Sequence, residues 1–301
     1  MIATHRTSPY LAEALASLRA QTYPTWRLIL VDDGSGAPDE VDELTRAIPG
    51  STVIHQANAG VAAARNRAIR SGEGEVVAFL DDDDRWPSDR LEQLIGALDR
   101  CPGALGAFGN GVYIDQDGRP FGSWRTEGAT SEAFLRGDTP IPRITAMVVV
   151  RDALAHSGLF DEGFALCEDD EFILRLLRQG PMASAGVAVV EYRRHDRNVT
   201  LVDWRVQHRA GRSAIRANID DALARGVSDH VALLRRNLRR YDAMTAGRSL
   251  GRSIGHLKAR RFRAAAADAW DSLRIAPVGF ASGAVRTVAS ETRSRLSSPR
   301  T

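Results

Sequence analysis

The chain has 301 residues, 44% apolar and 26% charged, with a net charge of +2 and two cysteines. That length buries a full core with room for a second, smaller unit, while the apolar runs are too short to cross a bilayer as a helix. So few cysteines in so long a chain, Cys101 and Cys167, point to a reducing compartment and exclude a disulfide framework.

The near-neutral total hides an asymmetry. Residues 205–301 hold 20 basic against 7 acidic side chains, whereas residues 1–204 hold 20 against 31. An acidic front joined to a basic tail predicts two units, 1–204 and 205–301. Only Lys258 is lysine; the rest of the basic residues are arginine, and no nucleic-acid partner is expected from that skew.

Met1–Arg6 lacks the apolar core of a signal peptide, so a cytoplasmic location is expected. Ser8-Pro9 then reads as a helix start, a capping hydroxyl followed by proline at the first helical position, with Leu11, Leu15 and Leu18 on one face. Leu28–Val31 is a short strand running into Asp32-Asp33-Gly34-Ser35, and Val53-Ile54 marks another. Gly60–Arg70 reads as a helix. Val76–Leu80 reads as a single buried parallel strand, and Pro87-Ser88-Asp89 opens a helix that turns Leu91, Leu94 and Leu98 inward. This alternation predicts an α/β fold with a mostly parallel central sheet and helices on both faces.

After position 100 the pattern changes. Tyr113–Gly118 suggests a hairpin turn, Thr145–Val150 a strand, Asp169–Gln179 a helix with Phe172, Ile173 and Leu176 inward, and Val187–Tyr192 a last strand. Beyond about 204 the chain reads as a helical extension, with Val231, Leu234, Leu238 and Tyr241 at helix spacing, as are Ile254 and Leu257. Pro277 closes it, and Glu291–Thr301 reads as a frayed polar end.

The chemistry concentrates in three acidic groups. Four adjacent carboxylates, Asp81–Asp84, follow the Val76–Leu80 run, and ligands of open α/β sheets bind at that carboxyl edge. Adjacent acids repel, so folding alone gives no reason for the cluster, whereas Mg²⁺ or Mn²⁺ takes carboxylate oxygens and bridges them to phosphate. Asp84 or Asp89 has a plainer alternative as a helix cap. Asp33 offers an acceptor to a base imide or ribose hydroxyl, while Asp32 suits a turn before Gly34. Glu168–Glu171 enters a helix, where negative charge also suits the helix dipole, so Asp169 is open to both a capping and a general-base reading.

Ile2–Arg6, Tyr10–Leu18, Gln21–Pro24, Leu28–Ser35, Asn58–Gly60 with Ala64–Asn66, Phe79–Arg90, Gly158–Glu162 and Glu168-Asp169 occur in one order over about residues 1–200. In that order they resemble the family 2 inverting glycosyltransferases of the GT-A fold. The resemblance implies the following roles. His5 abuts the base, with Thr4 in the same pocket, and Asp33 reads a uracil or thymine imide. Arg65 and Asn66 lie near the base or diphosphate. Asp81 and Asp83 are the acids of a DxD motif, the first towards ribose and the second on the metal, with Asp82 at the variable position. Asp169 is the general base, and His195 lies near the diphosphate as a metal ligand.

Read this way, the chain is a metal-dependent inverting transferase that uses a UDP- or dTDP-sugar. Its acceptor is a glycan, a lipid-linked or a small-molecule hydroxyl, and the setting is bacterial cell-surface polysaccharide or glycoconjugate synthesis. The basic extension is then either a helical unit docked on the acidic front or a surface for peripheral contact at the inner face of the membrane. The pattern is departed from in the first strand, which has only three residues before Thr4: either the strand begins further upstream or the base pocket is weakened. Two rivals remain: a sugar-phosphate nucleotidyltransferase, disfavoured because Ala3–Ser8 has no glycine for a phosphate loop, and an inactive binding or scaffold protein of the same fold.

Overall fold

The computed structural model describes residues 1–6, 8–126, 129–198 and 203–276. The expected stop at Pro277 and the frayed end Glu291–Thr301 lie outside the described residues. The chain opens with β1 (Ile2–Thr4), α1 (Pro9–Arg19), β2 (Ile29–Asp33), α2 (Pro38–Thr45), β3 (Thr52–Gln56) and α3 (Val61–Ser71). Then come β4 (Val76–Ala78), β5 (Leu80–Asp81), α4 (Arg90–Asp99), β6 (Gly106–Ile114), β7 (Pro120–Trp124) and α5 (Ser131–Leu135). A 3-10 turn leads into β8 (Met147–Val150), α6 (Arg151–Ser157), α7 (Glu168–Leu177) and β9 (Ala183–Arg193). Three helices follow: α8 (Trp204–Ala224), α9 (Ser228–Lys258) and α10 (Phe262–Ile275).

Two sheets result. The first is parallel, in the order β3-β2-β1-β5, and its register aligns Thr4 with Asp32, Ala3 with Asp81 and Asp33 with Gln56. Thr4, Asp33 and Asp81 therefore emerge together at one carboxyl edge. The second sheet is mixed, with β4-β8-β6-β7 antiparallel and β9 parallel to β6.

The Val76–Leu80 run is not the single parallel strand its composition suggests. Val76–Ala78 pairs antiparallel with β8, Phe79 breaks the ladder, and Leu80-Asp81 pairs parallel with β1. One apolar run thus joins both sheets, and the fully buried Phe79 packs edge-on against Phe160 at the junction. Periodicity cannot reveal this, because a continuous apolar run carries no alternation to mark the change of partner.

Elsewhere the local signals hold. The Ser8 hydroxyl accepts from the Tyr10 amide at 3.1 Å, and Leu11, Leu15 and Leu18 are buried. Gly34 adopts φ +77°, and a Cβ there would lie 2.9 Å from the Asn58 nitrogen, so only glycine lets this turn approach that loop. On α7, Phe172, Ile173 and Leu176 are buried in a core that Ile215 and Ile219 of α8 and Val231 and Leu234 of α9 also enter. Each such side chain contributes about 1.5–3 kcal/mol on burial. Leu257 departs from the expected inward spacing and is 50% exposed.

Candidate active site

The carboxyl edge of the parallel sheet opens into a cavity of about 780 Å³. Thr4 and His5 from the end of β1, Asp33 from β2, Asp81–Asp83 from the turn after β5, Asp169 from α7 and His195 beyond β9 all line it. Arg65 lines it too, but Asn66 does not.

The Asp81–Asp84 turn sorts its four acids. Asp82 receives the Thr4 hydroxyl at 2.6 Å, and Asp83 Oδ2 sits 3.0 Å from both His195 Nε2 and Asn198 Nδ2. Burial pushes Asp82 up to about 7, with the charges of Asp83 and Asp81 adding to it against the Thr4 hydrogen bond. Asp83 is likewise pushed to about 7, by burial and then by the charge of Asp81. His195 is held below its ordinary value by burial and by Arg193, which favours the neutral imidazole that can ligate a metal. Its ring lies 4.9 Å from that of Tyr10. Asp84 is fully buried away from the cavity, where it accepts the Arg193 amide at 2.9 Å. It caps nothing. Neither does Asp89, whose side chain makes no helix-cap bond and instead accepts from Gln93.

The two acids of β2 divide the same way. Asp32 takes the Ser35 amide at 2.8 Å and His55 Nδ1 at 2.8 Å, which holds its carboxyl low despite burial. Asp33 accepts from Gln56 Nε2 at 2.7 Å, Ala59 N at 2.8 Å and Gly60 N at 2.9 Å. A carboxylate offers about four acceptor directions, so one remains. His5 is exposed at the rim, with Nδ1 2.9 Å from the Asp33 carbonyl oxygen and Asn58 Nδ2 alongside.

On α3, adjacent residues part company. Arg65, 5% exposed, donates to Glu168 Oε1 at 2.7 Å and to Asp81 Oδ1 at 2.9 Å, tying the β5 turn to the start of α7. Burial opposes its charge, but Asp81 and Glu168 outweigh that and hold the guanidinium above its usual value. Asn66, 1% exposed, instead donates to the Phe160 carbonyl and Glu162 Oε1 and accepts the Phe160 amide. Its amide is engaged on the 160–162 loop rather than on the cavity, where the resemblance places it near base or diphosphate.

Cys167 precedes α7 in the left-handed region, with φ 61°, and is a free, buried thiol. That turn presents Asp169 to the cavity while Asp169 Oδ1 accepts the next amide, at 2.9 Å. Glu168 is pushed to about 7 by burial and the Asp169 charge, against Arg65. Asp170 is pushed to about 8 by burial and the charges of Asp169 and Glu168, against Arg143.

Sequence reasoning missed two parts of the site. Arg143 lines the cavity with its guanidinium 4.5 Å from the Tyr192 ring, 5.2 Å from Trp124 and 5.9 Å from Tyr113. Its rings come from three strands, so no local signal announces it. Asn198, which bonds Asp83 and caps the His195 amide at 2.7 Å, could have been flagged by standing three residues after that histidine. Among the described residues, no three His, Cys, Asp or Glu side chains converge as a ready-made metal cluster; Asp83 and His195 form a pair.

The family described as "Glycosyl transferase family 2" matches residues 1–155. A Bacillus subtilis protein provisionally named teichuronic acid biosynthesis glycosyltransferase TuaG is 30% identical over 150 residues, which is 48% of this chain and 59% of the relative. An Escherichia coli protein provisionally named colanic acid biosynthesis glycosyl transferase WcaA is 38% identical over 81 residues, 26% of this chain and 29% of the relative. The aligned region spans less than two thirds of the length of these relatives. Among solved structures, S. aureus TarS 1-349 in complex with UDP-GlcNAc superposes with TM-score 0.61 at 16% identity, covering 91% of each chain. That likeness gives the fold, which is the GT-A fold.

Proposed function

Because the chain belongs to glycosyl transferase family 2, we propose that it transfers a sugar from a nucleoside-diphosphate donor to an acceptor hydroxyl with inversion. The observation that carries this is the opening of Asp81–Asp83 and Asp169 onto one cavity, about 780 Å³ in volume. Ligand pockets commonly span about 300–1,000 Å³, which accommodates a nucleotide sugar. The donor is of the UDP or dTDP type, with the free acceptor direction of Asp33 and the rim His5 at its base end and Asp81 towards ribose. Thr4 holds Asp82 beneath them.

Asp83 and His195 fit a divalent cation. Their oxygen and nitrogen stand 3.0 Å apart, and half-buried Asp83 is pushed towards protonation as the structure stands. Mg²⁺ or Mn²⁺ asks for few protein ligands and completes its shell with phosphate and water. When bound, the ion neutralises charge on the leaving diphosphate. Asp169 takes the acceptor proton, and the amide of Asp170 on its Oδ1 keeps the carboxylate oriented. Arg65 fixes the distance between the donor-side and base-side acids, because it bonds one of each.

The acceptor is a glycan, a lipid-linked or a small-molecule hydroxyl in bacterial surface polysaccharide or glycoconjugate synthesis, the setting named for the relatives. Residues 1–204 form the catalytic unit and 205–301 the extension, which makes peripheral contact with the inner face of the membrane. A panel of nucleotide sugars, each incubated with and without Mn²⁺, tests the reading. Release of nucleoside diphosphate that needs both the metal and one donor supports it. Pyrophosphate release from a nucleoside triphosphate and a sugar 1-phosphate, run in parallel, would mean nucleotidyl transfer, and silence in both assays would mean a binding protein.

A further inference from the structure

α10 packs against α9 with the wrong face for a helix that only completes a core. Its buried side is small and polar: Ala265, Asp268 and Ser272. Three serine hydroxyls lock the pair, Ser249 to the Asp268 carbonyl at 2.8 Å, Ser253 to the Ala265 carbonyl at 2.7 Å and Ser272 to the Ala246 carbonyl at 2.7 Å. Both acids of the helix are paired, buried Asp268 and half-buried Asp271. Asp268 meets Arg205 at 3.0 Å, and Asp271 meets the same arginine at 2.5 Å.

Among the described residues, the exposed side carries an apolar stripe beside its arginines. Phe262 is 66% exposed, Trp270 60% and Leu273 38%, and with Ala266 they fall at helix positions i, i+4, i+8 and i+11, one continuous stripe. Exposed Arg263 and Arg274 flank the stripe, and exposed Arg260 and Arg261 precede it. A surface that shows aromatic rings and cations while its own acids are paired with Arg205 is complementary to an anionic, partly apolar plane. A helix lying in a lipid interface has that composition: Trp, Phe and Leu seated among the acyl chains, and arginines at the headgroups.

We propose that α10 is the element that seats this chain on an anionic lipid bilayer, through Phe262, Trp270 and Leu273 with Arg263 and Arg274 at the headgroups. This rests on the peripheral contact proposed above and gives it a place. It also requires no turnover, so its failure leaves the transfer reaction standing.

The test is sedimentation of the full chain with phosphatidylglycerol-containing vesicles and with pure phosphatidylcholine vesicles, at low and high salt. The expected result is binding to the anionic vesicles alone, weakened by salt. The F262S/W270S variant should bind at least about tenfold more weakly, and R263Q/R274Q about fivefold more weakly per arginine removed. Far-UV circular dichroism should be unchanged in both, because these side chains are exposed. In W270F, which keeps an apolar ring, binding should persist while quenching of tryptophan emission by brominated lipid falls. No sedimentation with anionic vesicles at low salt overturns the proposal, as does binding that F262S/W270S leaves intact. Self-association that F262S/W270S abolishes, without vesicle binding, would assign the stripe to a second copy of the chain and overturn it too.

Discussion

Replacing Arg65 with methionine should destabilise the fold more than any surface change could, because of where its two partners sit. The Arg65 and Glu168 side chains are 6% and 10% exposed, so their 2.7 Å contact is nearly dry. The Asp81 side chain is 32% exposed and its contact is partly screened. Removing one partner of a buried pair strands the other charge, at a cost of about 3–5 kcal/mol. R65M should lose that much in urea unfolding, and R65M/E168Q should recover part of it, with a coupling of about 1–3 kcal/mol. The sign with pH follows from Glu168, whose value burial raises to about 7 even with Arg65 beside it. Stability tied to its protonated form is complete below about pH 4 and fades as pH climbs towards that raised value. Without Arg65 the value rises further, so below about pH 6 both proteins lose stability alike and the deficit of R65M should widen as pH climbs through and above about 7. A loss under about 1 kcal/mol, or one that ignores pH, would refute the strut.

Three other substitutions probe separate parts of the site. D83A should abolish Mn²⁺-dependent binding of nucleoside diphosphate in calorimetric titration without changing the circular dichroism; unchanged affinity would remove Asp83 from the metal. D169N should keep donor affinity and lower turnover by about 10²–10⁴-fold, since an amide holds its shape but takes no proton. Lost affinity with turnover preserved would make Asp169 a binding residue. N66A leaves the Phe160 amide and carbonyl unmet in a buried place and should cost about 2–4 kcal/mol in denaturant while donor affinity in the folded protein stays near normal. A large affinity loss at equal stability would return Asn66 to the donor pocket.

What the sequence disclosed and what it hid follow from the range of the forces involved. The strand-end acids were legible because a parallel register is a local rule: apolar strands that end in Asp33 and Asp81 must deliver both to one edge. Arg65 and Asn66 were read together because they are neighbours, yet successive helix positions turn by about 100° and face different elements. Arg65 reaches the acids; Asn66 reaches the 160–162 loop. Their difference was implicit in the helix reading, but Glu168 and Phe160 stand 103 and 94 residues away in the chain. Arg143 was hidden more completely, since its three rings stand on β6, β7 and β9 and meet only after the mixed sheet forms.

The C-terminal helices show the converse, a local pattern that does not by itself mark the buried face. Apolar residues at helix spacing ordinarily mark the inward face, and for Val231 and Leu234 they do. On α10 the rule inverts, because burial is decided by what fits between two closely spaced helices. Serine and alanine let α9 and α10 approach, the serine hydroxyls satisfy themselves on backbone carbonyls, and Asp268 brings its own arginine. Phe262 and Trp270 are too large for that seam and are left outside. An amphipathic helix that turns its large apolar face outward has exchanged core burial for an external surface. The same periodicity that marks a core-facing side on α9 thus falls on the exposed side of α10, which suits the lipid contact proposed for it.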